Sequence, residues 1–450
     1  MRAGEALRIA WHEGITVVRD ADDLVLESFL GAVRLRRVPN GVAEALSWLG
    51  QRPFSVDELS DRVLATDGPE QLHRLYFHVN ELASRGLLRH SVHMDGAPLA
   101  TLEAVSPYHR FERFDTGGDF VLSRFALLRR EGERLLLESP LGHARVILHD
   151  ARGAAFVSKT MNATDDTAAD LLLLLRNART VVRADEEESD PVLAQWSFHD
   201  LYFHTRSRFG RHTNPFGATF RHAGAIAPPP AVKEPPRGDR IELPRFAVRD
   251  DAIERRRTIY AYDDAHPITF AQLAEFLHRV ARVRETFDVP VPDREDVRIP
   301  VSSRPYPSGG KSYELEIYLA VASCQGLAPG FYHYDPLGHR LTRIRERDAA
   351  VDALLQYATV AAPNIRQPQV MITLAARFQR VSWKYDAIAY AATLKHVGVL
   401  YQSMYLVATE MGLAPCALGS GDSDLFAAAA GTDYLVETSV GEFLLGSAAP

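Results

Sequence analysis

A chain of 450 residues has room for two or three domains, each with a core of its own. Its content of 46% hydrophobic and 24% charged residues is that of an ordinary globular protein, and a net charge of -7 speaks against a general nucleic-acid binder. Two cysteines, Cys324 and Cys416, are too few for a disulfide framework or a cysteine-built zinc site; with a charged N-terminal run and no long apolar stretch, we expect a cytoplasmic protein without membrane spans.

The first elements are short strands. Ile15-Thr16-Val17-Val18 and Leu24-Val25-Leu26 flank the turn-like Asp20-Ala21-Asp22-Asp23. Ser55 and Glu58 have the spacing of a capping box, and Leu72, Leu75, Val79 and Leu82 recur at helical intervals up to Gly86. With Leu87-Leu88 as a following strand, residues 1–95 read as a winged-helix-like module. The helix over 70–85 has no basic face, which argues against DNA as its ligand.

Residues 96–183 are rich in β patterns. Segments 121–128 and 134–137 around Glu131-Gly132-Glu133 predict a hairpin, and a helix over 165–175 follows Thr164 as N-cap. The stretch is either a second winged-helix-like module or part of one irregular α+β domain over 1–183. Residues 184–247 form a lead-in. Its acidic run, Asp185-Glu186-Glu187-Glu188, reads as a solvated connector; Trp196, Phe198, Leu201, Tyr202 and Phe203 supply anchors, and Pro228-Pro229-Pro230 through Pro235-Pro236 reads as stiff and extended. His199, His204, His212 and His222 invite a metal hypothesis, but a gap of five between the first two suits neither a helix face nor a strand face, so no metal is expected.

Residues 248–450 alternate helix and strand patterns. Phe270, Leu273, Phe276, Leu277 and Val280 have helix spacing, segments 315–321 and 370–374 read as buried strands, and a long helix covers 387–411. Chemistry-bearing motifs punctuate this α+β layout. Arg256, Arg257 and Thr258 cluster donors suited to a phosphate, because guanidinium binds such anions in a bidentate manner. Pro307-Ser308-Gly309-Gly310, with Ser312 close behind, precedes a buried strand, and glycines there let backbone approach a planar ring. Leu418-Gly419-Ser420-Gly421 offers a further small-residue loop, although it lacks the strand and spacing of a dinucleotide fingerprint. Lys384-Tyr385 stands between the second buried strand and the long helix.

Taken with Arg304-Pro305-Tyr306 ahead of the glycine turn, these motifs resemble the nitroreductase-like, FMN-dependent peptide dehydrogenases of the SagB/McbC type, the thiazole/oxazole oxidases. The resemblance covers about residues 196–450 and is strongest from Arg304 to Gly421. It implies a C-terminal nitroreductase-like FMN domain over 248–450, a central sheet wrapped by helices, preceded by a winged-helix-like peptide-clamp region. It implies that FMN is held by Arg256, Arg257, Thr258, Pro307, Ser308, Gly309, Gly310, Ser312, Leu418, Gly419 and Ser420. Tyr260 replaces a basic residue of the family's phosphate motif, and the C-terminal run Gly446-Ser447-Ala448-Ala449-Pro450 supplies no cation, so Arg256 and Arg257 carry that task. Lys384 and Tyr385 correspond to the family's proton-handling pair. A lysine accepts a proton only when neutral, and burial beside Trp383 would favour that form.

The implied activity is oxidation of azoline (thiazoline or oxazoline) rings to azoles in a ribosomally made precursor peptide, with hydride passing to FMN and the flavin reoxidised by oxygen. A cyclodehydratase partner and a homodimer are implied as well. Lys395 and His396 stand where family members often carry a glutamate, and they read as ordinary helix-face residues. Two alternatives stay open, an NAD(P)H-dependent nitro- or quinone reductase and a non-catalytic peptide-binding scaffold of a biosynthetic complex. Ser308-Gly309-Gly310-Lys311 also has the S-x-x-K form of penicillin-recognising enzymes, without their companion motifs.

Overall fold

The structure, a computed structural model, describes residues 7–28, 31–157, 160–233, 241–247, 249–292, 294–362, 365 and 367–449. They form two units, 1–213 with 385–388, and 214–384 with 389–450.

In the first unit, β1 (Leu7–Trp11), β2 (Thr16–Asp20), β3 (Asp23–Ser28) and β4 (Gly31–Leu35) precede α1 (Asn40–Trp48), α2 (Val56–Thr66) and α3 (Leu72–Ser84). The capping box of α2 forms as its spacing predicts: the Ser55 side chain accepts from Glu58 N–H, and the Glu58 carboxylate accepts from Ser55 N–H. Beyond α3 come β5 (Leu88–Met94), β6 (Ala97–Ala104), β7 (Phe120–Leu122), β8 (Leu127–Glu131), β9 (Arg134–Glu138) and β10 (Ala144–Leu148). The unit closes with α4 (Ala151–Phe156), α5 (Asp166–Asn177), β11 (Val181–Arg183) and α6 (Phe198–Arg206). One antiparallel sheet, in the order β1-β5-β6-β10-β9-β8, runs through the Asp95-Gly96 turn where the sequence suggests a module boundary. Two hydrophobic clusters share it, one including Leu46, Leu59 and Leu82, the other Leu102, Val146 and Leu172.

Three local expectations differ from what is found. The run over 121–128 is not one strand: β7 pairs with β11, and only β8 pairs with β9 across the predicted hairpin turn. The break falls at Ser123, whose N–H donates to Thr180 O and whose hydroxyl donates to Glu187. The N-cap of α5 is Asp165 rather than Thr164, because the Asp165 carboxylate reaches the Ala168 N–H at 2.8 Å. The acidic run is not uniformly solvated: Glu187 is buried, accepting from Ser123 Oγ and Arg124 N, and Glu186 pairs with Arg176 at 2.8 Å. Pro228, Pro229 and Pro230 are exposed, while Pro235, Pro236 and Val248 lie outside the described residues.

The second unit opens with α7 (Ala252–Arg255), α8 (Phe270–Ala281) and a hairpin of β12 (Glu285–Val291) with β13 (Arg294–Ser303). It continues as β14 (Leu315–Val321), β15 (Gly330–Asp335), β16 (Arg340–Glu346), α9 (Ala349–Ala361), β17 (Val370–Arg377), α10 (Gln379–Ser382), α11 (Ala389–Glu410), β18 (Leu413–Leu418), α12 (Ser423–Ala430) and β19 (Glu437–Ser447). Six strands make an antiparallel sheet in the order β16-β15-β14-β17-β19-β18. Strand alternation puts helices on both faces: Phe443 meets Phe276 of α8 and Tyr405 of α11, whereas Leu444 packs with Leu355 of α9 and Phe426 of α12. Gly441 lets α11 cross closely, since a Cβ there would run into the Tyr401 hydroxyl and Val397. Cys324 and Cys416 are buried here, and burial pushes both thiols up to about 11.

Register explains how distant motifs meet. Leu315, at the start of β14, faces Ala376, near the end of β17. The glycine turn entering β14 and the segment leaving β17 towards Lys384 therefore emerge side by side. Because β17 and β18 both run antiparallel to β19, the loop after Leu418 leaves from that same end.

Candidate active site

The turn at Ser308 to Ser312 is held on nearly every side. Tyr313 N–H donates to Ser308 Oγ at 3.0 Å, and Ser312 Oγ donates to Gly309 O at 3.0 Å. Arg380 donates to Ser312 O through Nε at 3.2 Å and Nη2 at 3.1 Å, and Nη2 also reaches Pro300 O of β13. Gly310 sits at φ 58°, a left-handed conformation that suits glycine. Lys311 and Tyr313 share that region, at φ 56° and 42°, so the turn is strained as well as tethered. Ser312 is 4% exposed; its side chain braces the turn instead of facing outward.

Lys384 reaches this turn from the other strand, its Nζ donating to Gly310 O at 3.3 Å. Both residues line a cavity of about 400 Å³ together with Lys311, Ser312, Arg377, Arg380, Trp383 and the 298–301 segment of β13. Burial of Lys384 against Trp383, expected from sequence, is not found: both are exposed, because the chain turns outward after α10. Burial, together with Arg377 and Arg304, pushes the Arg380 guanidinium below its ordinary value. Glu316 is the counterweight in this cationic surround. Burial alone would raise its carboxyl, yet His333, Arg377 and Arg304 hold it below the usual carboxylate range. Tyr385 belongs, with the rest of 385–388, to the first unit, so the sequence-adjacent pair is divided between the units.

A second cluster joins the basic motif to the third loop. Thr258 Oγ1 and Tyr405 Oη are 3.0 Å apart, and the same Oη accepts from Ala417 N–H at 2.9 Å. Ile259 N–H donates to Pro415 O, which ties the chain after Thr258 to β18. The Arg256 guanidinium lies 5.2 Å from the centroid of the Tyr405 ring, and the exposed Arg257 donates to Glu254 O and Arg256 O. Gly419 is exposed and Ser420 half-buried, but the Leu418 side chain is packed in the core with Phe426 and Leu444, leaving only its backbone to face a ligand.

These donors suit a flavin phosphate and a planar ring. Two arginines and a threonine stand together, and an exposed Gly309-Gly310 backbone presents no side chain to obstruct a ring. One expected donor is already engaged, because Gly309 N–H bonds to His396 Nε2 at 2.7 Å. Sequence reading set His396 aside as a helix-face residue; it is buried, with Nδ1 2.7 Å from the Glu314 carboxylate. Periodicity and motif spacing assign no role to Glu314, Tyr405, Arg380 or the β12–β13 hairpin. Glu314 and Glu316 inside an apolar strand run were the available signal. Among the described residues no group of three or more His, Cys, Asp or Glu side chains can hold a metal ion, and no helix is long and apolar enough to cross a membrane.

Comparison with known proteins follows this division. Residues 4–113 match the ThcOx helix-turn-helix domain, 120–213 the cyanobactin oxidase ThcOx, and 253–446 the nitroreductase family. The microcin B17-processing protein McbC of Escherichia coli is 30% identical over 129 residues, 27% of this chain and 44% of McbC, so the chain spans less than half of McbC. MJ1384 of Methanocaldococcus jannaschii, whose name places it among the nitroreductases, is 26% identical over 175 residues, 38% of this chain and 78% of that protein. Among solved structures, a chain of the E. coli microcin synthetase McbBCD complex with truncated pro-MccB17 bound aligns with a TM-score of 0.44 at 19% identity, over 58% of this chain and 97% of that one. The chain thus carries a nitroreductase domain over 253–446, preceded by a ThcOx-type helix-turn-helix domain over 4–113, and is similar to McbC.

Proposed function

We propose that this oxidoreductase is an FMN-dependent dehydrogenase that converts azoline rings to azoles in a ribosomally made peptide. The observation that carries the reading is the bond from Lys384 Nζ to Gly310 O inside the 400 Å³ cavity, which brings a proton-handling group to the glycine turn. Aromatising an azoline removes a proton from one ring carbon and a hydride from its neighbour. Bound FMN supplies the hydride acceptor, with molecular oxygen as the final oxidant.

The chain's own residues do the rest. Arg256, Arg257 and Thr258 hold the phosphate, and Ser308, the Gly309-Gly310 backbone and the Gly419-Ser420 loop border the ring. In its amine form Lys384 has two N–H bonds and one lone pair: an N–H serves Gly310 O, and the lone pair takes the ring-carbon proton. Such a positioned base contributes about 10²- to 10⁴-fold to rate. Tyr385 is assigned the second proton-handling role. The apolar part of the cavity, Ile299, Val301, Trp383 and Val436, packs the peptide around its ring and excludes water. A peptide-bearing synthetase partner and a homodimer complete the proposal.

The test is to incubate an azoline-bearing peptide with flavin-loaded protein in air and weigh the product. Loss of two hydrogens per ring is expected. An unchanged peptide, alongside NAD(P)H-driven reduction of a nitro compound or quinone, would replace this reading by the reductase; a protein that takes up no flavin would leave the scaffold.

A further inference from the structure

His396 lies on α11, between two partners from the segment that leads into β14. Its Nε2 is 2.7 Å from Gly309 N, and its Nδ1 is 2.7 Å from Glu314 Oε1. A backbone N–H can only donate, so Nε2 must carry a lone pair, and the ring proton of the neutral imidazole then belongs on Nδ1, where it donates to Glu314. The tautomer follows from the partners. His396 is 7% exposed and Glu314 0%, so the bond between them is not weakened by competing water. The turn has no slack at this point, since a Cβ on Gly309 would stand 3.1 Å from His396 Nε2.

We infer that His396, anchored by Glu314, is a positioning residue that locks the glycine turn and thereby places the Gly310 carbonyl to which Lys384 is bound. The order of contact is Glu314 to His396 to the Gly309 amide, then one peptide unit to Gly310 O and Lys384 Nζ. The inference rests on the flavin reading of this turn and adds to it. His396 takes the Gly309 amide away from the flavin, while the Ser308 hydroxyl and the Gly310 N–H are among the donors the turn can offer. A left-handed Gly310 next to left-handed Lys311 needs such a tether, because strained backbone persists only where its surroundings over-determine it.

The test begins on flavin-free wild-type protein with ¹⁵N-labelled histidine. The long-range imidazole spectrum should show His396 with a protonated Nδ1 and an unprotonated Nε2, and the Gly309 amide should be protected from hydrogen exchange. A protonated Nε2 in the folded protein would overturn the inference without reference to any substrate. Next, His396→Gln keeps an acceptor and a donor in one side chain, while His396→Leu keeps volume and removes both. We expect His396→Leu to bind FMN about tenfold more weakly and to lose about 10- to 100-fold in kcat with little change in KM, and His396→Gln to recover most of both. Wild-type flavin affinity and kcat in a folded His396→Leu protein would also overturn it. Should His396→Leu fail to fold, the spectrum and the Gln variant decide. If wild-type protein binds FMN but leaves azolines untouched, the proposed activity fails, whereas the tautomer and flavin-affinity results still decide the role of His396.

Discussion

Lys384 Nζ donates to the carbonyl oxygen of Gly310 at 3.3 Å, across 74 residues of sequence. The bond fixes where the amine stands, and the turn with its left-handed Gly310 has tethers of its own in His396, Ser308 and Ser312. Lys384→Ala is therefore expected to keep its flavin and its melting temperature while azoline oxidation falls by about 10²- to 10⁴-fold. Lys384→Arg should not rescue it, because a guanidinium stays protonated at working pH. Flavin absorbance measured beside product mass checks both, and full activity in the alanine variant would remove the lysine from the mechanism.

Tyr405 holds Thr258 and the start of the third loop through one oxygen. Tyr405→Phe leaves the Ala417 N–H without its acceptor and frees the Thr258 hydroxyl. We expect a loss of about 1–3 kcal/mol in stability together with weaker FMN binding. Thr258→Val removes only one of the two contacts and should cost less. Urea unfolding of the two variants, followed by flavin titration, gives the order.

Arg257 is exposed and donates to carbonyl oxygens of its own segment, so its removal should cost little in stability. Arg257→Gln is expected to weaken FMN binding about 10- to 100-fold and riboflavin binding hardly at all, as a phosphate contact requires. Arg256→Gln should do the same with an added loss of about 0.5–1 kcal/mol from its place over the Tyr405 ring. Equal weakening of FMN and riboflavin would move the phosphate elsewhere.

Acid should destabilise the first unit. His90 is buried and stacked on Phe111 at 3.6 Å, and burial, with His109 and Arg113 nearby, lowers it to about 3. The unfolded chain takes up that proton near 6.5. As the folded value is the lower, stability is complete above about 6.5 and is lost as the pH falls towards 3, by a few kcal/mol in all. His109, lowered to about 4 by burial and Arg110, acts in the same direction. His90→Leu should flatten part of the decline in melting temperature between pH 7 and 4; a variant that tracks wild type would assign the acid sensitivity to other groups.

Much of the architecture could be read from local signals. Strands over 315–321 and 370–374, the helix with Phe276 and Leu277 on its buried side, and the long helix before Gly412 all follow from side-chain periodicity, which depends only on neighbours in sequence. The α2 cap was legible for the same reason. Where local rules misled, a distant partner had intervened. Ser123 breaks the predicted strand because Thr180 and Glu187 bind it, and Glu187 leaves solvent for the same contact.

The sequence by itself determined the class of protein, an α+β chain with nitroreductase-like motifs in order, because residue type, spacing and helix or strand period are properties of the linear chain. Only the tertiary structure decided which motif residues act on one another. Gly309 meets His396 and His396 meets Glu314 across 87 and 82 residues, Lys384 stands on the glycine turn although it is exposed, and Ser312 and Leu418 turn their side chains inward. Those relations come from the pairing of β14 with β17 and the crossing of α11 over β19, and hydrogen bonds between residues so far apart have no signature in sequence spacing.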